Sequence, residues 1–182
     1  MRLGGIVLAG GRSRRMGTAK ATLDWRGTPL VAHVAGCVAD ATGGPVVIVV
    51  ATGQALPPLE WPVVEDPRPG LGPLQGLAAG LAALDADVAF ACATDQPHAA
   101  DVLPALLAAL QPGDDVVAYR GQPLGALYRT ALAAHAQLRV TGVDTSLRGL
   151  LAAVTTRTLE DDPPAALRSL DTPEDYAAAL RS

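Results

Sequence analysis

Leu3-Gly4-Gly5-Ile6-Val7-Leu8-Ala9-Gly10-Gly11-Arg12-Ser13-Arg14-Arg15-Met16-Gly17-Thr18-Ala19-Lys20 decides how the rest of the chain reads. Residues 3–9 form an apolar run of strand length that stops at Gly10-Gly11. Residues 12–20 then carry four positive charges and no negative one, in a chain of net charge −4. Two glycines free to adopt positive φ let main-chain N–H groups come close to an anion, and the Arg and Lys side chains add charge. The segment therefore reads as a backbone loop wrapped around a polyphosphate at the end of a first strand. An ordinary turn with exposed arginines is the alternative, although ligands of open α/β sheets do bind at these strand ends. The spacing matches neither G-x4-G-K-[ST] nor G-x-G-x-x-G.

Outward from that strand the pattern alternates. Apolar, β-branched or Ala-rich strands are expected over 46–51, 88–93 and 115–119, with helices over 30–41, 74–84 and 100–110. Strands alternating with helices imply parallel β-α-β units, and continuous apolar strands imply a sheet covered on both faces. The fold class is thus α/β. Residues 126–139 and 146–154 read as helical and 155–159 as a strand. A last helix starts after Thr172, with Pro173 at its first position and Glu174 and Asp175 in its first turn. Six of the fifteen prolines lie between Pro57 and Pro73, around a short strand-like Val63-Val64-Glu65-Asp66, and we read this stretch as a structured loop rather than a linker.

A length of 182 residues fits one domain, spanning 1–182. Apolar residues make up 49% of the chain and aromatic ones 3%, so the core is built from Ala, Val and Leu. The acidic balance argues against nucleic acid as a partner and leaves the basic loop for a small anion. Cys37 and Cys92 form no C-x-x-C pair and read as two buried thiols in a reducing compartment. No apolar run approaches the ~18 residues that span a bilayer. The apolar run after Arg2 is too short, and its continuation too polar, for a secretion signal, so a cytoplasmic location is expected. His33, His98 and His135 fall at no ligand spacing, and His33 and His135 read as helix-surface residues.

Two further segments carry chemistry. Ala93-Thr94-Asp95-Gln96-Pro97 places a carboxylate directly after an apolar strand, where it serves as a hard oxygen ligand for Mg²⁺ or merely caps the following turn. Pro69-Gly70-Leu71-Gly72-Pro73-Leu74-Gln75-Gly76 brings a glycine-rich loop to a helix start, where main-chain groups meet a base or an anion, or simply make a connection.

Leu8-Ala9-Gly10-Gly11-Arg12-Ser13-Arg14-Arg15-Met16-Gly17 with Lys20 closely resembles the signature of Mg²⁺-dependent nucleotidyltransferases, and most of all the molybdenum cofactor guanylyltransferases. Four more segments agree in order: Val64-Glu65-Asp66 with Gly72-Pro73-Leu74-Gln75-Gly76, Thr94-Asp95-Gln96-Pro97, Gln122-Pro123-Leu124 with Ala126-Leu127-Tyr128, and Asp171-Thr172-Pro173-Glu174-Asp175. The resemblance implies a three-layer, Rossmann-like nucleotidyltransferase fold around a mainly parallel sheet. It implies that Leu8, Ala9, Gly10, Gly11, Asp66 and Gly76 hold the nucleotide, that Lys20 and Arg15 lie on its phosphates, and that Asp95 binds Mg²⁺ with Asp171 as helper. The implied catalytic set is Lys20, Arg15 and Asp95, with Lys20 and Asp95 also counted among the nucleotide's contacts. The implied reaction joins GMP from GTP to the phosphate of the molybdopterin cofactor and releases pyrophosphate, and the resemblance extends to transient contact with molybdoenzyme maturation proteins. The chain departs from the family at Ala19, Ala51, Gln122 and Asp171, where relatives often carry Asp, Asn, His and Asn. These departures leave open CTP as donor, another phosphorylated acceptor, or a non-catalytic nucleotide-binding protein on the same fold.

Overall fold

The computed structural model describes residues 1–10, 20–66, 70, 72–142, 144–160 and 162–181. β1 (Leu3–Leu8) precedes a 3-10 turn, Lys20–Thr22, and a hairpin of β2 (Asp24–Trp25) and β3 (Thr28–Pro29). Next come α1 (Leu30–Thr42), β4 (Val46–Ala51), β5 (Val63–Asp66), α2 (Pro73–Ala83) and β6 (Val88–Ala93). The second half holds α3 (Leu103–Ala109), β7 (Val116–Tyr119), β8 (Ala126–Arg129), α4 (Ala133–Val140), α5 (Leu147–Ala153), β9 (Thr156–Leu159) and α6 (Pro173–Arg181). Gly11 and Arg15 of the basic loop lie outside the described residues.

Seven strands form one sheet in the order β5-β4-β1-β6-β8-β7-β9. All neighbours are parallel except at β8, which runs antiparallel to both β6 and β7. Side chains alternate across a strand, and here both faces are apolar. Val7, Ile48, Val50, Phe90 and Cys92 meet α1 and α3 on one side. Ile6, Leu8, Val47, Val49 and Ala91 meet α2, α4 and α5 on the other. The result is the three-layer arrangement with a mainly parallel sheet. Small residues set the layer spacing: a Cβ at Gly80 of α2 would lie 2.7 Å from Ile6 Cγ2, so any side chain there would push the helix off the sheet.

Three expectations are corrected. Residues 126–129 are a strand, not the start of a helix. They lie between β6 and β7, which take up their backbone groups, and pairing and burial override the helical preference of Ala and Leu. Helix begins only at Ala133. The expected helix over 100–110 is split into a 3-10 turn, Ala99–Val102, and α3, because Pro104 has no N–H to donate one turn back. Cys37 and His33 are half-buried rather than a fully buried thiol and a surface ring, with His33 stacked on Trp25 at 5.2 Å. The β2–β3 hairpin was not anticipated. Arg26 and Gly27, with φ 53° and 89°, make the positive-φ turn that suits a two-residue hairpin.

Candidate active site

From β1 the chain moves outward through β4 and β5, then crosses back over α2 to β6 on the other side of β1. The C-terminal ends of β1 and β6 therefore flank the point where strand order reverses, the usual ligand crevice of such sheets. The Thr94 backbone N–H and hydroxyl both donate to the Leu8 carbonyl, at 3.0 and 3.2 Å, and tie these two strand ends together. Leu8 and Ala9 are buried and Gly10 is exposed at the rim.

Lys20 opens the 3-10 turn whose next residue, Ala21, is buried in the core and fixes the backbone there. Its Nζ donates to Asp95 Oδ2 at 2.7 Å and to Asp171 Oδ1 at 3.0 Å. The structure thus brings together three residues from positions 20, 95 and 171. Burial disfavours the charged form of Lys20, but the hydrogen bonds to Asp95 and Asp171 outweigh it, and the ammonium holds its proton more firmly than an ordinary lysine.

Asp95 and Asp171 are positioned by different means. Gln96, just after Asp95, is buried. Its Oε1 accepts from the Ala93 N–H at 3.2 Å and its Nε2 donates to the Leu167 carbonyl at 2.9 Å. The Leu170 N–H donates to the Asp95 carbonyl at 2.8 Å. These bonds lace the two aspartate-bearing segments together. Asp171 is followed by a reciprocal cap: Thr172 Oγ1 accepts from the Asp175 N–H at 3.1 Å, and Asp175 Oδ2 accepts from the Thr172 N–H at 2.9 Å. Asp175 Oδ2 also accepts from the Asp171 N–H at 3.2 Å, and Ser169 Oγ donates to Asp171 Oδ2 at 2.7 Å.

The remaining predicted residues are spread around this centre. Asp66 is buried at the end of β5, two strands from β1, with its carbonyl accepting from the Thr52 hydroxyl at 2.8 Å. Gly76, in the first turn of α2, packs on β1: a Cβ there would lie 3.4 Å from Leu8 Cδ2. Sequence reasoning missed Gln54, whose Nε2 donates to the Ala9 carbonyl at 2.8 Å and whose Oε1 accepts from the Ala51 N–H at 3.3 Å, joining the ends of β1 and β4. It also gave no role to Gln96, Thr94 or Ser169. Gln54, Thr94 and Gln96 each bond a backbone carbonyl of a distant segment, which no local spacing announces.

A cavity of about 610 Å³ opens beside Asp95, bounded by Gly72 and Pro73, the Gln122-Pro123-Leu124 loop and Ser146 to Arg148. The loop is rigidly held. Gly125, at φ 71°, sits against Leu167 where no Cβ fits, and the Tyr128 hydroxyl donates to the Pro123 carbonyl.

Among the described residues, no three His, Cys, Asp or Glu gather in metal-binding geometry. Asp95 and Asp171 nevertheless form a pair of hard oxygen donors already closed over a positive centre, the Lys20 ammonium. That donor set fits Mg²⁺, which takes one or two carboxylates and keeps waters and substrate phosphates for the rest. No helix of the described residues is long and apolar enough to cross a membrane.

The model of the MobA-like NTP transferase domain matches residues 5–166. A probable molybdenum cofactor guanylyltransferase of Mycobacterium marinum is 38% identical, over 98% of this chain and 94% of that one. The protein of the same description in Mycobacterium bovis BCG Pasteur is 47% identical over 72% of this chain and 70% of that one. Solved structures share the fold. Molybdopterin-guanine dinucleotide biosynthesis protein A from Archaeoglobus fulgidus superposes with a TM-score of 0.71 at 19% identity, over 98% and 97% of the two chains. A CMP:2-keto-3-deoxy-manno-octonic acid synthetase complexed with CTP reaches 0.76 at 16% identity, over 100% and 98%. A basic strand-to-turn signature, carboxylates facing a lysine at the switch point, and this match over most of its length together establish that the chain belongs to the MobA-like NTP transferase family and is a nucleotidyltransferase.

Proposed function

We propose that the chain, working as a single cytoplasmic domain, transfers GMP from GTP to the phosphate of the molybdopterin-type cofactor and releases pyrophosphate. The observation that carries the chemistry is the Lys20 ammonium held between Asp95 and Asp171 at the switch point. The choice of GTP and of the acceptor rests on the descriptions of the relatives and on the Gly72-Pro73-Leu74-Gln75-Gly76 motif.

Phosphoryl and nucleotidyl transfer ask little covalent chemistry of a protein; positioning and charge neutralisation dominate. In this reading the nucleotide lies over the β1 end, with Leu8, Ala9, Gly10, Asp66 and Gly76 around it. The cavity beside Asp95 takes the acceptor. An acceptor phosphate oxygen attacks the α-phosphorus, and the bond from that phosphorus to the leaving pyrophosphate breaks. Lys20, with Arg15, offsets the charge that grows on the pyrophosphate. Asp95 and Asp171 hold Mg²⁺, which supplies further neutralisation of the phosphate oxygens.

The test is pyrophosphate release from each of GTP, CTP, ATP and UTP with Mg²⁺, with and without molybdopterin cofactor. Release only when GTP and the cofactor are both present is expected. Release only with CTP overturns the guanylyl assignment. Absence of release with every nucleotide overturns the enzyme-level reading in favour of a binding protein.

A further inference from the structure

Lys20 and the two aspartates have been given separate duties, one toward phosphates and the other toward a metal, yet the side chains spend their charge on each other. Nζ lies 2.7 Å from one carboxylate and 3.0 Å from the other, and these oxygens come from segments 75 and 151 positions away along the chain. The Lys20 and Asp95 side chains are 20% and 23% exposed, so solvent screens the pair less than it would at the open surface. A divalent cation such as Mg²⁺ taking the same oxygens would need the space the ammonium fills, since its metal–oxygen bonds of about 2.0–2.1 Å are shorter still. Two positive centres cannot occupy that spot together.

We infer that Lys20 and a divalent cation compete for the Asp95–Asp171 pair, so that metal loading depends on the nucleotide, whose phosphates draw Lys20 away. The inference rests on the reading of Asp95 and Asp171 as the metal-holding pair. The backbone around Lys20 is suited to such an exchange. Buried Ala21 anchors the turn, while the four-carbon lysine stem is flexible and its ammonium is a point charge without a fixed bidentate geometry. Lys20 thereby keeps the two carboxylates neutralised and near one another until substrate arrives, and frees them at the moment it binds the triphosphate.

The experiment measures Mn²⁺ binding to the full chain without nucleotide, from the paramagnetic resonance signal of free Mn²⁺. Wild type is compared with Lys20→Met, Lys20→Gln and the double variant Lys20→Met with Asp95→Asn. Removing an ammonium within hydrogen-bond range of both carboxylates is expected to tighten Mn²⁺ binding by ~10-fold or more in each single variant, and the double variant is expected to lose the gain. Equal affinity in wild type and both single variants overturns the competition while leaving the metal reading intact. If the single variants do not fold, wild-type thermal shifts decide: Mn²⁺ alone is expected to add little, and Mn²⁺ to add stabilisation beyond GTP alone when GTP is present. A full Mn²⁺ shift without GTP overturns the inference. If Mn²⁺ neither binds any variant nor adds to the GTP shift, the metal reading itself fails and takes the inference with it.

Discussion

Two charge clusters among the described residues sit at opposite ends of the sheet and are built from different chemistry. At the C-terminal ends of β1 and β6, one ammonium bridges Asp95 and Asp171. At the other end, Arg157 of β9 grips Asp114 with two bonds, Nε to Oδ2 at 2.6 Å and Nη2 to Oδ1 at 3.1 Å. The Asp114 carboxylate also accepts from the Gln111 N–H at 2.8 Å, its carbonyl accepts from Arg129 Nε at 3.2 Å, and Nη2 of Arg157 reaches Gln111 Oε1 at 2.8 Å. There a planar guanidinium matches a carboxylate edge to edge, and β7, β8 and β9 are locked in register. The lysine makes no such fork. It is a point charge shared by two acids, and on the competition inferred above another cation takes its place between them. The arginine fork fixes the fold; the lysine cluster is suited to being undone.

The largest effects are expected where the exchangeable cluster is broken. Lys20→Ala and Asp95→Asn each lower kcat/KM for pyrophosphate release by ~10²-fold or more, as when a preorganised charge stabiliser is lost. Thermal unfolding temperature should change far less than activity. Near-wild-type turnover in both variants would remove the catalytic assignment. The mirror-image outcome belongs to the Arg fork. Arg157→Gln leaves Asp114, only 5% exposed, without its bidentate partner. A drop of several degrees in Tm is expected, with kcat/KM per folded molecule close to wild type. A variant with unchanged Tm and lost activity would show that the comparison has been drawn the wrong way round.

Much of this frame was legible because strands buried on both faces must be continuously apolar. That is why β4 and β6 were found at or near their true bounds, and why Asp95 stood out as the first carboxylate after an apolar run. Lys20 was legible as the end of a basic segment. Its contact with Asp171 was not, because nothing in spacing reports a meeting across 151 positions; Asp171 entered only through family resemblance. β8 was misread because Ala126-Leu127-Tyr128 carries no local mark of a strand; its state is decided by β6 and β7 on either side. The Arg157–Asp114 fork and the carboxamides of Gln54 and Gln96 escaped for the same reason, since each acts on a segment remote in sequence. The thiols need no role in the site: burial raises the pKa of Cys37 and of Cys92, so neither is a ready nucleophile.

The smallest expected effect sharpens the contrast through pH. The Arg157 hydrogen bond, against the opposing effect of burial and with help from the Gln111 N–H, holds Asp114 below its ordinary value of 3.8. A carboxylate whose pKa falls on folding contributes stability that is fully present above its unfolded value and is lost as pH drops through the folded one. Lys20 is the opposite case, raised above its ordinary 10.5, so its contribution is complete below that value and fades as pH climbs through the higher folded one. Arg157 is itself raised above the ordinary arginine value, chiefly through its hydrogen bond to Asp114, and stays charged across this range. The Tm gap between wild type and Arg157→Gln should therefore close on the acid side below 3.8 and stay flat from neutral pH through 10.5. The gap between wild type and Lys20→Met should begin to close above 10.5. An Arg157→Gln gap that closes in alkali, or a Lys20→Met gap that stays constant there, would mean that the two clusters do not differ in the way their geometry requires.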